Sequence, residues 1–362
     1  MMMSSKVHNL QVNFIVHTTV SIAFILLAVV TSPCQGAADV VFGCYKVESG
    51  QLRIVDNHNE CFPSERGIIL NGREFVPSER FVNCNSGEKI QDAIDHSNTR
   101  DTIYVYGNCE EHLLITEDKN QLTIDGQGMA TISWSNSDFS VLHIRGGKFI
   151  QVKGFVISGG QNGIHVSHIG SSIIDGNIIH NASGAGILVE SNSIATITNN
   201  TIKDNQWVGV GIYGSASAYI GLHSLNETIP SPNIIQNNGV DGIHVFGSSG
   251  AIIAGNSITS NEQQGVRIDR VSYAHVSSNL INSNGLSGVL VDGNSGVNLG
   301  FDEGLSILNK PNMTTVNNIN YGFYCEHNSY VDGRIGTLDG DPGEKWFGAG
   351  CIDSLDNFPS PP

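Results

Sequence analysis

The sequence predicts an all-β solenoid, in which coils of parallel strands and tight turns stack one on the next. Three observations predict it. A motif Gly–(Ile/Val/Phe)–x–(Val/Ile/Cys) recurs at Gly163, Gly186, Gly209, Gly242, Gly265, Gly288 and Gly322, at intervals of 23, 23, 33, 23, 23 and 34 residues. The 362 residues include 42 Gly and 36 Asn, turn formers, and only 14% are charged. No 3.6-residue apolar periodicity runs through the repeat, so each period reads as strands and turns rather than helix pairs.

Each part of the period has a physical reason. A coil of parallel strands stacks on its neighbour at about 4.8 Å, so equivalent residues form ladders. Alternate apolar residues point inward, which predicts Ile164, Ile187, Ile243, Ile268 and Val289 as core. A second motif, Asn–x–Ile, precedes five of the glycines by nine residues, at Asn177, Asn200, Asn233, Asn256 and Asn279. Asn stacked on Asn at a turn satisfies backbone groups of the next coil. No coil buries its apolar face alone, so stability comes from stacking. Residues 102–330 then hold about ten coils, on the order of 48 Å at that rise.

The N-terminal region carries different signals. Residues 20–30, VSIAFILLAVV, suit the core of a signal peptide, with Lys6 before them and cleavage expected after Ala38. Removing residues 1–38 removes Cys34 and leaves Cys44, Cys61, Cys84, Cys109, Cys325 and Cys351. An even count in an exported chain suggests disulfides. Six cysteines allow 15 pairings; joining nearest neighbours gives Cys44–Cys61, Cys84–Cys109 and Cys325–Cys351. A metal site is the rival, but no CxxC or HxxxH pair exists. Residues 39–82 read as a small Cys-stapled module of two or three short strands. In SGEKIQDAIDHSN, Ser86 is positioned to cap a helix with Ile90, Ala93 and Ile94 on one face, and DTIYVYG alternates as a strand. A short helix ahead of strand after strand is expected over the open end of such a stack.

The helix, the DTIYVYG strand and the GIHV and NxI ladders together resemble the right-handed parallel β-helix, or pectin-lyase-like, superfamily, over residues 84–330. The resemblance implies a parallel β-helix, with residues 331–362 as a C-terminal cap or tail. The superfamily holds polysaccharide lyases, polygalacturonases and alginate epimerases, so the resemblance also implies a polysaccharide partner. Its sharper signatures are missing: the chain has no NTD, no DD, no GHG and no DPH.

Aligning the coils gives two outward columns. One is His165, Leu188, Gly211, His244, Arg267, Leu290, Tyr324; the other is Ser167, Glu190, Tyr213, Phe246, Asp269, Asp292, Glu326. The two long intervals insert 10 or 11 residues after GVGI and after GVLV, three coils apart. Two loops are therefore expected to project from one edge, about 14 Å apart, and to wall a groove whose floor carries His244, Phe246, Arg267 and Asp269, flanked by Tyr213 and Asp292. Aromatics stack on sugar rings, and Arg267 suits a carboxylate. Asp269 and Asp292, on successive coils, are a candidate Ca²⁺ pair, or an acid and base at the spacing of retaining glycosidases.

Charge narrows the partners. A net charge of −16 with only 18 Lys+Arg argues against nucleic acid, and no run outside the leader is long enough to cross a membrane. The sequence thus reads as a secreted, periplasmic or cell-surface protein that binds polysaccharide or a surface partner between two loops. A lyase, hydrolase or epimerase acting on an acidic glycan is the alternative.

Overall fold

The computed structural model describes residues 42–46, 52–55, 61–62, 65–69, 77–300 and 307–355. The leader, its cleavage point and Cys34 lie outside them. Among the described residues no helix is long and apolar enough to cross a membrane.

The chain forms two compact units that divide between Val76 and Pro77. In the first, Phe42–Lys46 is the middle strand of an antiparallel sheet, with Leu52–Val55 on one side and Glu65–Ile69 on the other. Cys44 is bonded to Cys61, and Arg53 meets Glu65 at 3.0 Å.

The second unit is the solenoid. Its front sheet has ten parallel strands in chain order, from Leu113–Ile115 through Ile164–Ser167, Ile187–Val189, Val210–Tyr213, Ile243–Phe246, Val266–Asp269 and Val289–Val291 to Lys345–Phe347. A second sheet stacks Ser171–Asp175, Ile194–Thr198, Ser217–Ile220, Gly250–Ala254, Tyr273–Ser277, Gly296–Asn298, Tyr330–Gly333 and Ile352–Leu355. A third stacks Ile178–His180, Thr201–Lys203, Ile234–Gln236, Ser257–Thr259 and Leu280–Asn282. The register follows the repeat, residue for residue: Ile164 pairs with Ile187, Ile187 with Val210, Ile243 with Val266. Ile164, Ile187, Ile243, Ile268 and Val289 are fully buried, as the alternation predicts.

Buried amides tie the coils together. Each Asn Nδ2 in the file Asn177–Asn200–Asn233–Asn256–Asn279–Asn312 donates to the Oδ1 of the next, at 2.9–3.0 Å. A second file, Asn205–Asn238–Asn261–Asn284–Asn318, repeats the arrangement four residues before the repeat glycines. Its spacing is fixed, but no apolar residue recurs beside it as Ile does in Asn–x–Ile, so it stands out less in the sequence.

Four details differ from expectation. The helix spans only Ile90–Asp95, and Ser86 lies in a 3₁₀ turn before it. Its first N–H groups are capped from a link between two strands: the Glu111 carboxylate, between Asn108–Glu110 and Leu113–Ile115, accepts from Ile90 N–H and Gln91 N–H at 2.9 and 3.2 Å. Strand Glu79–Asn83 pairs parallel with Thr102–Tyr106, so one more coil stacks beyond DTIYVYG and the helix belongs to that coil. At the other end, Lys345–Phe347 and Ile352–Leu355 continue the sheets, so regular coils run into the segment read as a tail. Cys84–Cys109 and Cys325–Cys351 are the disulfides of this unit.

The fourth detail bears on the site. The insertions do not wall the front sheet. In both long coils the repeat continues through a second-sheet strand, Ser217–Ile220 or Gly296–Asn298, because Ala218, Ile220, Val297 and Leu299 still fill the core. The chain departs only at Gly221 and Gly300, whose φ values of 91° and 85° suit glycine. At Gly221 a side chain would also collide with the Ala254 carbonyl. Leu222 and Ile307, from the two insertions, then bury against Ala254 over the outer surface of the second sheet. Ile307 N–H reaches the Glu227 carbonyl at 3.3 Å, so the insertions meet rather than flank a groove.

Two predictions follow from this packing. Asn238→Ala leaves the Asn205 amide and a backbone N–H without their shared acceptor in the core, and should lower stability by about 1–3 kcal/mol. A denaturant midpoint equal to wild type would contradict the ladder. The second concerns the stacked imidazoles of His143 and His165, with ring centroids 4.2 Å apart on the front sheet. Burial, then the neighbouring charges of His165, His112, His168 and Arg145, push His143 down to about 3. The folded state thus disfavours the charged ring, and the unfolded chain takes up the proton first as pH falls. This part of the stability should be complete above the ordinary histidine value of 6.5 and should drain away toward pH 3. His143→Asn should flatten that fall; an unchanged slope would contradict it.

Candidate acid–base site on the front sheet

The outward columns form as the spacing predicts. Register pairing sets Gly211 beside His244, His244 beside Arg267, Tyr213 beside Phe246, and Phe246 beside Asp269. Five of the six sequence-predicted site residues therefore meet: Tyr213, His244, Phe246, Arg267 and Asp269. Asp292 does not join them. Its Oδ1 lies 2.6 Å from His327 Nδ1, and it groups with Glu326 and His327 as the three carboxylate and imidazole groups able to converge there. Its hydrogen bond and charge push the exposed His327 up. Asp269 is held instead by His244 and Arg267, so the two carboxylates proposed for Ca²⁺ have different partners.

The five residues point outward yet are largely covered. The side chains of His244 and Asp269 are 11% and 5% exposed. They cover one another through a chain of polar contacts. Tyr213 Oη lies 2.9 Å from His244 Nδ1, His244 Nε2 lies 3.3 Å from Asp269 Oδ1, and Arg267 donates to Asp269 Oδ2 through Nε at 2.9 Å and Nη2 at 2.8 Å. Burial would raise the Asp269 carboxyl, but the hydrogen bonds and charges of His244 and Arg267 hold it below its usual range. An ionised Asp269 can only accept, so His244 Nε2 carries the proton. In the neutral imidazole Nδ1 is then the acceptor of the Tyr213 hydroxyl. Burial, then the charges of Asp241 and Asp269, push the Tyr213 hydroxyl strongly up, so it rests protonated.

Tyr213 reaches across to His244 because Gly211, beside His244 in its column, carries no side chain. A side chain there would press on the Tyr213 ring at 3.3 Å. The ring is braced edge-on by Trp207 and Phe246, at 5.6 and 5.4 Å between centroids, and Arg270 lies over Phe246 at 5.0 Å.

Sequence reasoning missed Trp207, Arg270 and, above all, Asp241. Asp241 is fully buried, and its Oδ2 lies 3.8 Å from His244 Nδ1. Burial pushes its carboxyl up, against the pull of His244 and the Gln264 N–H. A signal for it was present in the residue before each repeat glycine. That column runs Asn162, Ala185, Val208, Asp241, Gln264, Ser287, Tyr321, and an acid follows two small apolar residues.

Known proteins place this architecture. A 125-residue stretch is 30% identical to a cell surface glycoprotein of Methanothermus fervidus, covering 33% of this chain and 20% of that protein. The chain thus spans about a fifth of that relative's length. Among solved structures, the A-module of the Azotobacter vinelandii mannuronan C-5 epimerase AlgE6 matches with a TM-score of 0.42 and 12% identity, over 79% of this chain and 90% of that one. The catalytic unit of a GH87 α-1,3-glucanase from Streptomyces thermodiastaticus matches with 0.40 and 10%, over 73% and 63%. At these values neither structure bears on the chemistry of this chain. A family model described as the right handed beta helix region matches residues 81–229 and 217–334, which is most of the solenoid and more than half of the whole, and the chain belongs to that family.

Proposed function

We propose that this chain is an exported or surface protein that binds an acidic polysaccharide across the front sheet and carries out acid–base chemistry on it at Tyr213. The observation that carries the reading is the relay from Tyr213 through His244 to Asp269. A hydroxyl of high pKa, hydrogen-bonded to an imidazole that a buried carboxylate orients, is the arrangement by which serine hydrolases activate a hydroxyl. Here the phenol would take a proton from the sugar as its own proton passes to His244 Nδ1. Asp269 stabilises the imidazolium that forms, and reversal returns the proton. The proton taken is either the one on carbon next to a uronate carboxylate, as elimination and epimerisation require, or one on a hydroxyl. Arg267 spends Nε and Nη2 on Asp269 and leaves Nη1 for a sugar carboxylate.

The repeat's resemblance to a superfamily of polysaccharide lyases, hydrolases and epimerases supports the substrate class. The relative named as a cell surface glycoprotein supports the location. Glycan binding without turnover is a second reading, favoured by how little of His244 and Asp269 reaches solvent. Incubation with acidic and neutral polysaccharides, followed by assays for bound glycan, new reducing ends and unsaturated or epimerised sugar, separates the two. Turnover should fall by about 100-fold or more in Tyr213→Phe, with affinity within a few-fold of wild type, because only the hydroxyl is lost. Turnover unchanged in that variant would contradict the relay, and retention without any product would leave the binding reading.

Arg267→Ala should weaken retention of acidic oligosaccharides. It should also cost about 1–3 kcal/mol of stability, because Asp269 stays buried with His244 alone. The outward position of Arg267 by itself predicts almost no cost, and the Asp269 contact reverses that expectation. Wild-type stability and affinity together would place the site elsewhere.

A further inference from the structure

Asp241, Gln264 and Ser287 each precede a repeat glycine and lie on successive coils. The pairing Gly242 N–H to Gln264 carbonyl, at 2.9 Å, and Gly265 N–H to Ser287 carbonyl, at 3.0 Å, sets them one above another. All three are at least nine-tenths buried, at 0%, 7% and 1% exposure. Asp241 Oδ1 accepts the Gln264 N–H at 3.0 Å. What remains is one oxygen on each residue without any hydrogen-bond partner: Asp241 Oδ2, Gln264 Oε1 and Ser287 Oγ.

This file contrasts with the asparagine files on the same coils, where each Oδ1 meets a donor. A buried acceptor without a donor costs about 1–3 kcal/mol, and a buried carboxylate costs more. Ser172 Oγ, Ser277 Oγ and Asp332 Oδ1 also lack partners but stand in separate columns, whereas here three follow on successive coils. The three unpartnered atoms are all oxygens, one of them on an acid, and the nitrogen beside them, His244 Nδ1, stands 3.8 Å from Asp241 Oδ2 and faces Tyr213. Such a set of oxygens is the ligand set of a hard cation rather than of zinc or copper. The spacing also fits. Backbones on neighbouring coils are about 4.8 Å apart, so side-chain oxygens that lean together from successive coils can share one ion at the roughly 2.3–2.6 Å that Ca²⁺ prefers. The site is bounded: upstream the column is Ala185 and Val208, with no side-chain oxygen to give.

We infer that the buried column Asp241–Gln264–Ser287 is a binding site for a hard, oxygen-liganded cation. It is distinct from the Asp292–Glu326–His327 cluster and from the Asp269–Asp292 pair that the sequence suggests. It adjoins His244 but does not depend on the proposed chemistry of Tyr213.

The test is thermal unfolding of the full chain after treatment with a chelator. CaCl₂, MgCl₂, NaCl and KCl are added in separate arms, against choline chloride at equal ionic strength. At least one cation, Ca²⁺ first among them, should raise Tm saturably by several degrees over choline. Asp241→Asn should abolish the rise, Gln264→Met should weaken the apparent affinity tenfold or more, and Asp292→Asn should leave it intact. Should Asp241→Asn fail to fold, Gln264→Met and Ser287→Ala carry the test. No rise with any cation would overturn the inference and assign ordered water to the column. A rise that persists in Asp241→Asn, or in both Gln264→Met and Ser287→Ala, or that is lost in Asp292→Asn, would also overturn it.

Discussion

Everything in the solenoid depends on the parallel hydrogen bonding of each coil to the next in strict register. A parallel ladder moves a residue to its counterpart one coil on, with no choice of face. Once Ile187 lies on Ile164, the inward or outward fate of every neighbour is set. The buried asparagine files reinforce the register, because an Oδ1 displaced by one residue would lose both the Nδ2–H and the backbone N–H that it accepts. The two insertions are tolerated because they leave the ladder after one strand and rejoin it before the next. Asn200 still meets Asn233 across 33 residues.

The same register assembles the candidate site. Tyr213, His244, Asp269 and Arg267 come from three coils and are far apart in sequence. The ladder places Gly211, His244 and Arg267 in one column and Tyr213, Phe246 and Asp269 in the next. A relay needs donor and acceptor within hydrogen-bond reach. Strands at about 4.8 Å supply that for side chains that lean toward each other. Gly211 supplies the remaining space. The cost is a carboxylate held in a nearly closed environment, which Arg267 and His244 offset together.

Much of this was legible in the sequence, and the limits have physical reasons. Glycine spacing and apolar alternation report the backbone, so the coils, the core and the membership of both outward columns could be read. Burial of those columns could not, because it arises from side chains covering one another: Trp207 and Phe246 brace Tyr213, and Asp269 is screened by its own partners. The insertions were placed one strand too early, since their lengths show in the glycine spacing but their exit points do not. Ala218 and Ile220 continue the core before Gly221 turns the chain away. Asp241 was passed over because it sits just outside the strand, where alternation says nothing. The helix is legible, but the sequence offers a local serine as its cap, whereas the Glu111 carboxylate, from a link between two strands, accepts its first N–H groups.

The central claim is that register builds a directed relay, with His244 holding its proton on Nε2 against Asp269 and accepting from Tyr213 at Nδ1. Long-range ¹⁵N–¹H correlation of the His244 imidazole reads this directly. The account predicts the Nε2–H tautomer at neutral pH, with an Nδ1 shift that moves in Tyr213→Phe and a tautomer balance that changes in Asp269→Asn. An Nδ1–H tautomer, or an imidazole indifferent to both substitutions, would contradict it.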